Sequence, residues 1–243
     1  MAVKNSEDKN EKSVESYLYS SDKARLTGLV REMAQISVSS IEKAVLSLVK
    51  LDLEMAKKVI EEDDLIDEKE EQIDQECLYS IAMRQPVRED LRFVYAVMKI
   101  IVDLERIGDQ SVNIAMNVLN FSRESSFPKE IIPFVESMAK ENTKMLSEVI
   151  QAFAGEDETV ICYAREHRKL VKEKRKTGVL KLEEIIENDA GSVSEKLRLF
   201  CSVILTLRHL SRISDHILNL AERVSFIATG ISPLTLKREK KER

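Results

Sequence analysis

Apolar residues recur every three or four positions along most of the chain, which is the spacing of helices that bury one face. The pattern begins near Asp22 and continues to Thr229. No segment alternates between apolar and polar residues with a period of two, as a half-buried strand does. The sequence therefore predicts an all-α protein.

Capping and helix-breaking residues divide this pattern into six long helices. Asp52 is placed to cap the second helix, Pro86 falls in the first turn of the third, and Gly230 follows the last. The predicted helices cover about residues 22–51, 52–85, 86–121, 129–153, 157–188 and 194–229. Short connections make consecutive helices antiparallel neighbours, which predicts two tandem three-helix bundles.

The chain repeats itself at an offset of 106 residues (215 − 109 = 106), without a gap. Such a repeat indicates two copies of one helical unit. The recurring residues are Leu91, Arg92, Val97, Leu104, Arg106, Ile107, Asp109, Asn113 and Ala115, which match Leu197, Arg198, Val203, Leu210, Arg212, Ile213, Asp215, Asn219 and Ala221. One difference changes the chemistry, because Glu105 of the first copy is Ser211 in the second.

The repeat and the composition together divide the chain into four parts. Residues 22–125 and 126–230 form the two predicted bundles. Residues 1–21 are polar and are expected to be a flexible tail, and the charged residues 231–243 are expected to be a second tail.

Charge is distributed unevenly between the two halves, although the net charge is only −5. Residues 61–76 contain ten acids and one base, whereas residues 165–181 contain eight bases and two acids. Corresponding helices of the two copies therefore carry opposite charge. Gly (6) and Pro (4) are scarce, which agrees with long helices.

The cysteines indicate a reducing compartment. Cys77, Cys162 and Cys201 are far apart within apolar helical patterns, so neither a disulfide framework nor a Cys-x-x-Cys metal site is predicted. The first twenty residues are polar, and no apolar run approaches the roughly 20 residues that span a bilayer. We expect a cytoplasmic protein that is at most peripheral to a membrane.

Two pairs of acids stand at helical spacing. Glu105 and Asp109 are four residues apart, so they lie one above the other beside the apolar stripe of the third helix. Asp63 and Asp67 have the same spacing on the second helix, with Asp64 beside them. Antiparallel helices bring the two pairs face to face, and converging carboxylates are the ligands of a hard metal ion. The alternative interpretation is a solvated acidic face.

Arg106 and Asn113 have simpler structural interpretations. Arg106 is expected to pair with a carboxylate such as Asp103 or Asp109. Asn113 is expected to satisfy a backbone or carboxylate partner. The basic run of residues 165–181 is most simply a solvated face, although it also fits an acidic partner or anionic lipid heads.

Two other functional classes stay open at this point. A carboxylate-bridged metalloenzyme is the main alternative, although the inward Glu-x-x-His pairs of di-iron oxidases are absent from the sequence. His209 and His216 are expected to be surface or satisfied core residues and not ligands. The basic helix suggests nucleic-acid binding, which the acidic total and the 5% aromatic content disfavour.

Several short motifs occur together and identify a family. They are Asp63-Asp64-Leu65-Ile66-Asp67, Arg84-Gln85-Pro86, Asp90-Leu91-Arg92, Leu104-Glu105-Arg106-Ile107-Gly108-Asp109 and Asn113-Ile114-Ala115. Over about residues 22–230 the chain resembles the PhoU family, the accessory regulators of phosphate transport. The resemblance implies two three-helix bundles, a homodimer and metal clusters held by paired acids. It also implies a non-enzymatic regulator that contacts a phosphate transporter at the membrane and a sensor kinase.

The resemblance assigns a metal site to the first half. It implies a divalent or trivalent ion of the Mg, Ca, Mn or Fe class. The implied ligands are Asp63, Asp67, Glu105 and Asp109, with Asp64 as a neighbouring candidate. Arg106 and Asn113, with their second-copy counterparts Arg212 and Asn219, are expected to be structural or supporting residues.

The second half departs from the family pattern. Ser211 stands where the motif has Glu, and the facing helix reads Arg165-Glu166-His167-Arg168-Lys169. We therefore expect metal in the first half only, and Asp215 is expected to pair with Arg165, Arg168 or Lys169. The departure also makes a divergent paralogue that serves another phosphate carrier an alternative to the transporter's own regulator.

Overall fold

The protein is all-α, as the sequence predicts. The computed structural model describes residues 2–120, 127–189, 191–232 and 235, with side chains from residue 20 onward. The helices are α1 (Ala2–Lys50), α2 (Leu53–Glu61), α3 (Asp64–Arg84), α4 (Arg88–Asn120), α5 (Ile132–Gly155), α6 (Val160–Asn188) and α7 (Val193–Thr229). Within these ranges no strand occurs, and no helix carries an apolar stretch long enough to cross a bilayer.

The first helix begins earlier in the structure than the sequence predicts. Helix α1 begins at Ala2, so the predicted start near Asp22 is wrong. Residues 2–21 contain many Lys and Glu residues, which favour helix without producing an apolar pattern. The expected flexibility of residues 1–21 stays a prediction. The expected charged tail, 231–243, lies outside the described residues apart from 231, 232 and 235.

The second predicted helix is two helices in the structure. Helix α2 ends one residue before Glu62, and α3 begins one residue after Asp63. Lys43 of α1 pairs with Glu62 at this break. The apolar pattern continues in phase across the break and so does not reveal it. Pro86 lies in the connection before α4, which begins at Arg88, and not in the first helical turn as predicted.

Capping residues fix the ends of α2 and α7. The carboxylate of Asp52 accepts a hydrogen bond from the backbone N–H of Met55 at 3.0 Å, so the predicted cap is confirmed. Ser192 and Glu195 form a capping box at the start of α7. Gly230 ends α7 in the left-handed conformation with φ 73°, which glycine adopts without strain.

A continuous apolar core joins the two halves. Helix α1 packs against α4 of the first half and α5 of the second, and α4 packs along α7. The rings of Phe93 on α4 and Phe153 on α5 stack with their centroids 5.7 Å apart. The two bundles therefore share helical interfaces and are not separate units.

The interface of α4 and α7 contains a row of buried or half-buried polar contacts, which we call the polar seam. Nδ1 of His216 lies 2.9 Å from Oδ1 of Asp103, which also accepts a hydrogen bond from Nδ2 of Asn219 at 3.1 Å. Seven residues along α4, Oε1 of Gln110 lies 2.9 Å from Nδ1 of His209.

A third contact continues the seam at the same spacing. Nδ2 of Asn117 donates to Oγ1 of Thr206 at 3.3 Å and approaches the carbonyl oxygen of Ser202 at 3.4 Å. The seam residues of α4 are 103, 110 and 117, and those opposite them on α7 are 216, 209 and 202. Each step of seven upward on one helix is a step of seven downward on the other, which is the register of antiparallel helices in a heptad seam.

The first two contacts of the polar seam are related by the internal repeat. The offset of 106 takes Asp103 to His209 and Gln110 to His216. The contact between Asp103 and His216 therefore becomes the contact between His209 and Gln110. The histidines are satisfied residues of the helix interface, as expected from the sequence.

We expect Asp103→Ala to destabilise the protein by about 2–3 kcal/mol, since it leaves two half-buried donors, on His216 and Asn219, without their acceptor. Urea unfolding followed by circular dichroism measures the change. The exposed Glu173, whose side chain forms no hydrogen bond or ion pair in the described part of the chain, is the control. An Asp103→Ala variant as stable as Glu173→Ala would contradict a stabilising polar seam.

Candidate metal centre

Acids from two helices meet where α3 begins against the middle of α4. Asp63 stands at the α2–α3 break, and Asp67 lies one turn into α3. A Cβ atom added to Gly108 of α4 would lie 2.9 Å from Oδ1 of Asp63 and 2.7 Å from Cδ1 of Ile66. The absence of a side chain at Gly108 thus allows α3 to approach α4 this closely, beside Glu105 and its neighbours.

The acids act on each other electrostatically across the two helices. Partial burial raises the pKa of Asp63 to about 6, and the charges of Asp67, Asp109 and Asp64 add to this effect. Burial likewise raises the pKa of Glu105 to about 7, with further contributions from Asp109, Glu70 and Asp67. The predicted convergence of α3 and α4 carboxylates is therefore present, with Asp64 as an exposed neighbour.

Glu70 belongs to the same group and was not among the predicted ligands. Burial raises its pKa, and the charges of Asp67, Asp74 and Asp109 contribute to the rise. Its position shows why it belongs, because it follows Asp63 by seven residues on one face of α3. The spacing of seven is present in the sequence, but residues 61–76 contain ten acids, so the spacing alone does not distinguish Glu70 from the others. We call Asp63, Asp67, Glu70, Glu105 and Asp109 the acidic cluster.

No basic side chain among the described residues forms an ion pair with the acidic cluster. Within the described residues, none of its carboxylates accepts a side-chain hydrogen bond or forms an ion pair within 4.0 Å. The expected ion pair of Arg106 with Asp103 or Asp109 is not formed, and Asp103 is instead engaged in the polar seam. The charge of Arg106 still opposes the rise in the pKa of Glu105. Asn113 donates to the backbone carbonyl of Asp109 at 2.8 Å, as expected.

The acidic cluster has ligands of the type that a hard cation prefers, but they are not arranged around a common point. Among the described residues, no three His, Cys, Asp or Glu side chains are already arranged as metal ligands. The cluster nevertheless offers only carboxylate oxygens, which suit Mg²⁺, Ca²⁺, Mn²⁺ and iron. Its raised pKa values reflect burial first and mutual repulsion second, and a cation offsets both because it favours the ionised carboxylates. The donor set therefore fits a metal ion.

The corresponding position of the second half is occupied by an internal ion pair. Nε of Arg168 lies 2.5 Å from Oδ1 of Asp215, and Nζ of Lys172 lies 3.5 Å from the same oxygen. The predicted pairing of Asp215 with Arg168 is therefore present. Arg165 and Lys169, the other expected partners, form no ion pair with Asp215 in the described chain, whereas Lys172 was not predicted.

The remaining predicted supporting residues, Asn219 and Arg212, lie on α7. Asn219 donates to Asp103 within the polar seam, so it connects the two copies. Arg212 is exposed on α7. Burial lowers the pKa of His209, and the charges of Arg208 and Arg212 lower it further.

Comparison with known proteins finds matches over most of the chain. A family model described as the PhoU domain matches twice, over residues 30–118 and 135–224. The chain is 32% identical over 212 residues to the phosphate-specific transport system accessory protein PhoU homolog of Pseudomonas aeruginosa, covering 86% of each protein. PhoU homolog 1 of Thermotoga maritima, also named a phosphate-specific transport system accessory protein, is 33% identical over 214 residues, covering 88% of this chain and 87% of the relative.

Solved structures agree with these matches. The crystal structure of PhoU from Pseudomonas aeruginosa has a TM-score of 0.79 to this protein at 29% identity, covering 88% of this chain and 100% of that one. PhoU from Streptococcus pneumoniae gives the same TM-score at 23% identity and supports the fold alone.

The acidic cluster is expected to reduce the stability of the metal-free protein as the pH rises through about 4.5 to 7, whereas His209, whose pKa is lowered, acts in the opposite direction. In this range the Glu105 carboxyl stays protonated in the folded protein, where its pKa is about 7, and ionises in the unfolded chain at about 4.5. The folded state thus binds more protons, so raising the pH favours unfolding. Asp63 acts in the same direction between 3.8 and about 6.

Urea unfolding in the presence of a chelator, at several pH values across this range, measures the effect. The variant Glu105→Gln should lose stability less steeply with rising pH, because it removes the carboxyl with the most strongly raised pKa. Glu187→Gln, at an exposed position of α6, is the matched control and should keep the wild-type slope. Equal slopes for the two variants would show that the acidic cluster is not the source.

Proposed function

The chain belongs to the PhoU family, and from that premise we propose that it is a non-enzymatic accessory regulator of phosphate uptake. The observation that carries the proposal is the pair of family-model matches, which together span both halves of the chain. Relatives from Pseudomonas aeruginosa and Thermotoga maritima, named as accessory proteins of a phosphate-specific transport system, support the same role.

The proposal includes a metal ion held by the first half only. Asp63 and Asp67 would supply oxygens from the start of α3, and Glu105 and Asp109 would supply them from α4. Glu70 and Asp64 are neighbouring donors. The support comes from the shared repulsion of these acids and from the lack of ion pairs to them in the described chain. The bound ion would supply positive charge, which lets these carboxylates stay ionised at neutral pH.

The position of the cluster gives such an ion a structural role. Asp63 lies at the α2–α3 break, so its position depends on where α3 begins and it is not held within a continuous helix. Acids that repel one another tend to separate α3 from α4, and a cation draws them together. We infer that occupancy of the cluster adjusts how α3 lies against α4, while the second half is held by its internal pair of Arg168 and Asp215.

The proposed partners are a phosphate transporter at the cytoplasmic face of the membrane and a sensor kinase, with the protein acting as a homodimer. Exposed apolar side chains near the α3–α4 connection support a protein contact, and the most exposed are Met83 at 60% and Val87 at 66%. The second half exposes two apolar residues at the start of α7, namely Val193 at 82%, which is the counterpart of Val87, and Leu197 at 60%. Their exposure suits docking to other proteins.

Removing two acids of the cluster should abolish metal binding. We expect Glu105→Ala combined with Asp109→Ala to lose the metal, whereas Asp215→Ala should keep it, since Asp215 already binds Arg168 and Lys172. Elemental analysis of the purified proteins measures metal per chain.

A matched control separates the cluster from general loss of negative charge. Glu183 and Glu187 are exposed on α6 with the same spacing of four residues, and neither forms an ion pair in the described structure. Their double alanine variant should keep the full metal content. A full content in the Glu105 and Asp109 variant, or a loss in Asp215→Ala, would refute the assignment.

Capture from membranes tests the regulatory role. The tagged wild-type protein, cross-linked in cells grown at high and at low phosphate, should recover phosphate-transporter components identified by mass spectrometry. Substituting the exposed apolar residues Met83→Ser and Val87→Ser should reduce this recovery, whereas Leu180→Ser, which is 55% exposed on α6, should not. Failure to recover any transporter or kinase component in either condition would reject the proposal.

A further inference from the structure

The second half places bases where the first half has its acidic cluster. Ile66 of α3 and Val171 of α6 are equivalent buried positions, with an offset of 105 residues (171 − 66 = 105). With this alignment, Asp63, Asp67 and Glu70 of α3 correspond to Arg168, Lys172 and Arg175 of α6. We call the two sets of residues the α3 stripe and the α6 stripe. Each acid of the α3 stripe is thus replaced by a base on the same face of α6.

Helix α7 continues this inversion of charge. Arg208, Ser211 and Asp215 follow one another at intervals of three and four residues, so they share one face of the helix. Ser211 corresponds to Glu105, so a carboxylate is replaced by a hydroxyl group that can donate a hydrogen bond. Arg208 corresponds to the uncharged Val102 and adds a positive charge that the first half does not have.

Two contacts fix the register of α6 against α7. Arg168 meets Asp215 through its Nε atom, and a Cβ atom on Gly178 would lie 3.3 Å from Cδ1 of Leu207. The helices are therefore antiparallel, and Arg175 lies between these two contacts along α6. Its level on α7 is the turn that carries Arg208 and Ser211. The stripes of the two helices thus run beside each other.

Positive charge is in excess on these two stripes. Arg168, Lys172, Arg175 and Arg208 contribute four positive charges, and Asp215 is the only carboxylate on the stripes. The ion pairs of Asp215 use part of this charge. Arg175 and Arg208 form no ion pair or side-chain hydrogen bond within the described part of the chain.

Ser211 adds a hydroxyl group without a partner. The residue is only 4% exposed, and its hydroxyl makes no hydrogen bond to any described residue. Its oxygen keeps some access to solvent, unlike the fully buried unpaired hydroxyl of Ser202. The hydroxyl is therefore able to donate to an acceptor bound beside the neighbouring bases.

We propose that this α6–α7 face, made of Arg168, Lys172, Arg175, Arg208 and Ser211, binds a phosphate group. Arginine side chains offer paired N–H donors that match phosphate oxygens, and the site combines them with a hydroxyl donor. The chain would then carry a cation site and an oxyanion site at equivalent places of its two copies. The phosphate group belongs either to free inorganic phosphate or to an anionic lipid headgroup. This inference goes beyond the proposed regulatory role and does not require it.

Binding of both phosphate sources to the full chain tests the site. One arm measures radiolabelled inorganic phosphate by equilibrium dialysis, and the other measures sedimentation with phosphatidylcholine vesicles that contain phosphatidic acid. The variant Arg175→Gln with Arg208→Gln should weaken binding of the phosphate source by about tenfold or more, since two charge-assisted donors are lost. Neither residue forms an ion pair in the described chain, so the fold should be kept, which circular dichroism verifies.

A matched variant separates the site from the general charge of α6. Lys169→Gln with Lys176→Gln removes the same charge from exposed positions of the same helix, outside the stripe that faces α7. It should bind within about twofold of the wild type, because nonspecific attraction is screened by salt. Asp215→Asn should instead tighten binding, as it frees Arg168 and Lys172, whereas Glu173→Gln should not.

The arms give distinct outcomes. Binding in either arm that is lost in the Arg175 and Arg208 variant alone supports the site and identifies the source of the phosphate group. Absence of binding in both arms, or equal losses in the two double variants, overturns the inference. Metal content measured on the same samples shows separately whether the first-half assignment holds.

Discussion

The packing of α4 along α7 is the constraint on which the rest of the structure depends. Both helices contribute to the core of their own half and also to the interface between halves. An apolar interface alone would tolerate a slip of one helix along the other, whereas the polar seam satisfies its buried groups in one register. The same two helices carry Glu105 and Ser211, so the seam fixes these residues relative to each other, while contacts at Gly108 and Gly178 place α3 and α6 against them.

The sequence was sufficient for the helices but not for every contact between them. Apolar periodicity and capping residues located most helices, and Asp52 and Gly230 act at the ends where they were expected. The break before Asp63 was missed because the apolar pattern passes through it unchanged. Asp103 shows a second limit. A single sequence indicates that an acid borders the core, but its partners on α7 are more than a hundred residues away.

The two halves show how one scaffold supports opposite electrostatics. In the first half, burial and mutual repulsion raise the pKa values of Asp63 and Glu105, so ionising these carboxyls in the folded protein costs free energy that a bound cation would offset. In the second half, Asp215 has a permanent partner in Arg168, so the equivalent helices are joined without any added ion. The first site therefore responds to its surroundings, whereas the second has a built-in counter-charge. Comparison of the two copies in the sequence indicated this difference, because Ser211 replaces Glu105 and a basic helix replaces an acidic one, whereas the structure was needed to identify Lys172 as a second partner of Asp215.

The internal symmetry of the polar seam bears on how such a chain arises. The internal repeat converts one contact of the polar seam into the other. Two identical chains related by a twofold axis would form a pair of contacts of this kind, in which both contacts use the same two positions. In a pair of separate identical chains, a change at either position alters both contacts at once. A single chain that contains both copies lacks that restriction, so here one contact joins Asp103 with His216 and the other joins Gln110 with His209. The same freedom applies to the charged faces, and it allows one ancestral site to diverge into two of opposite sign.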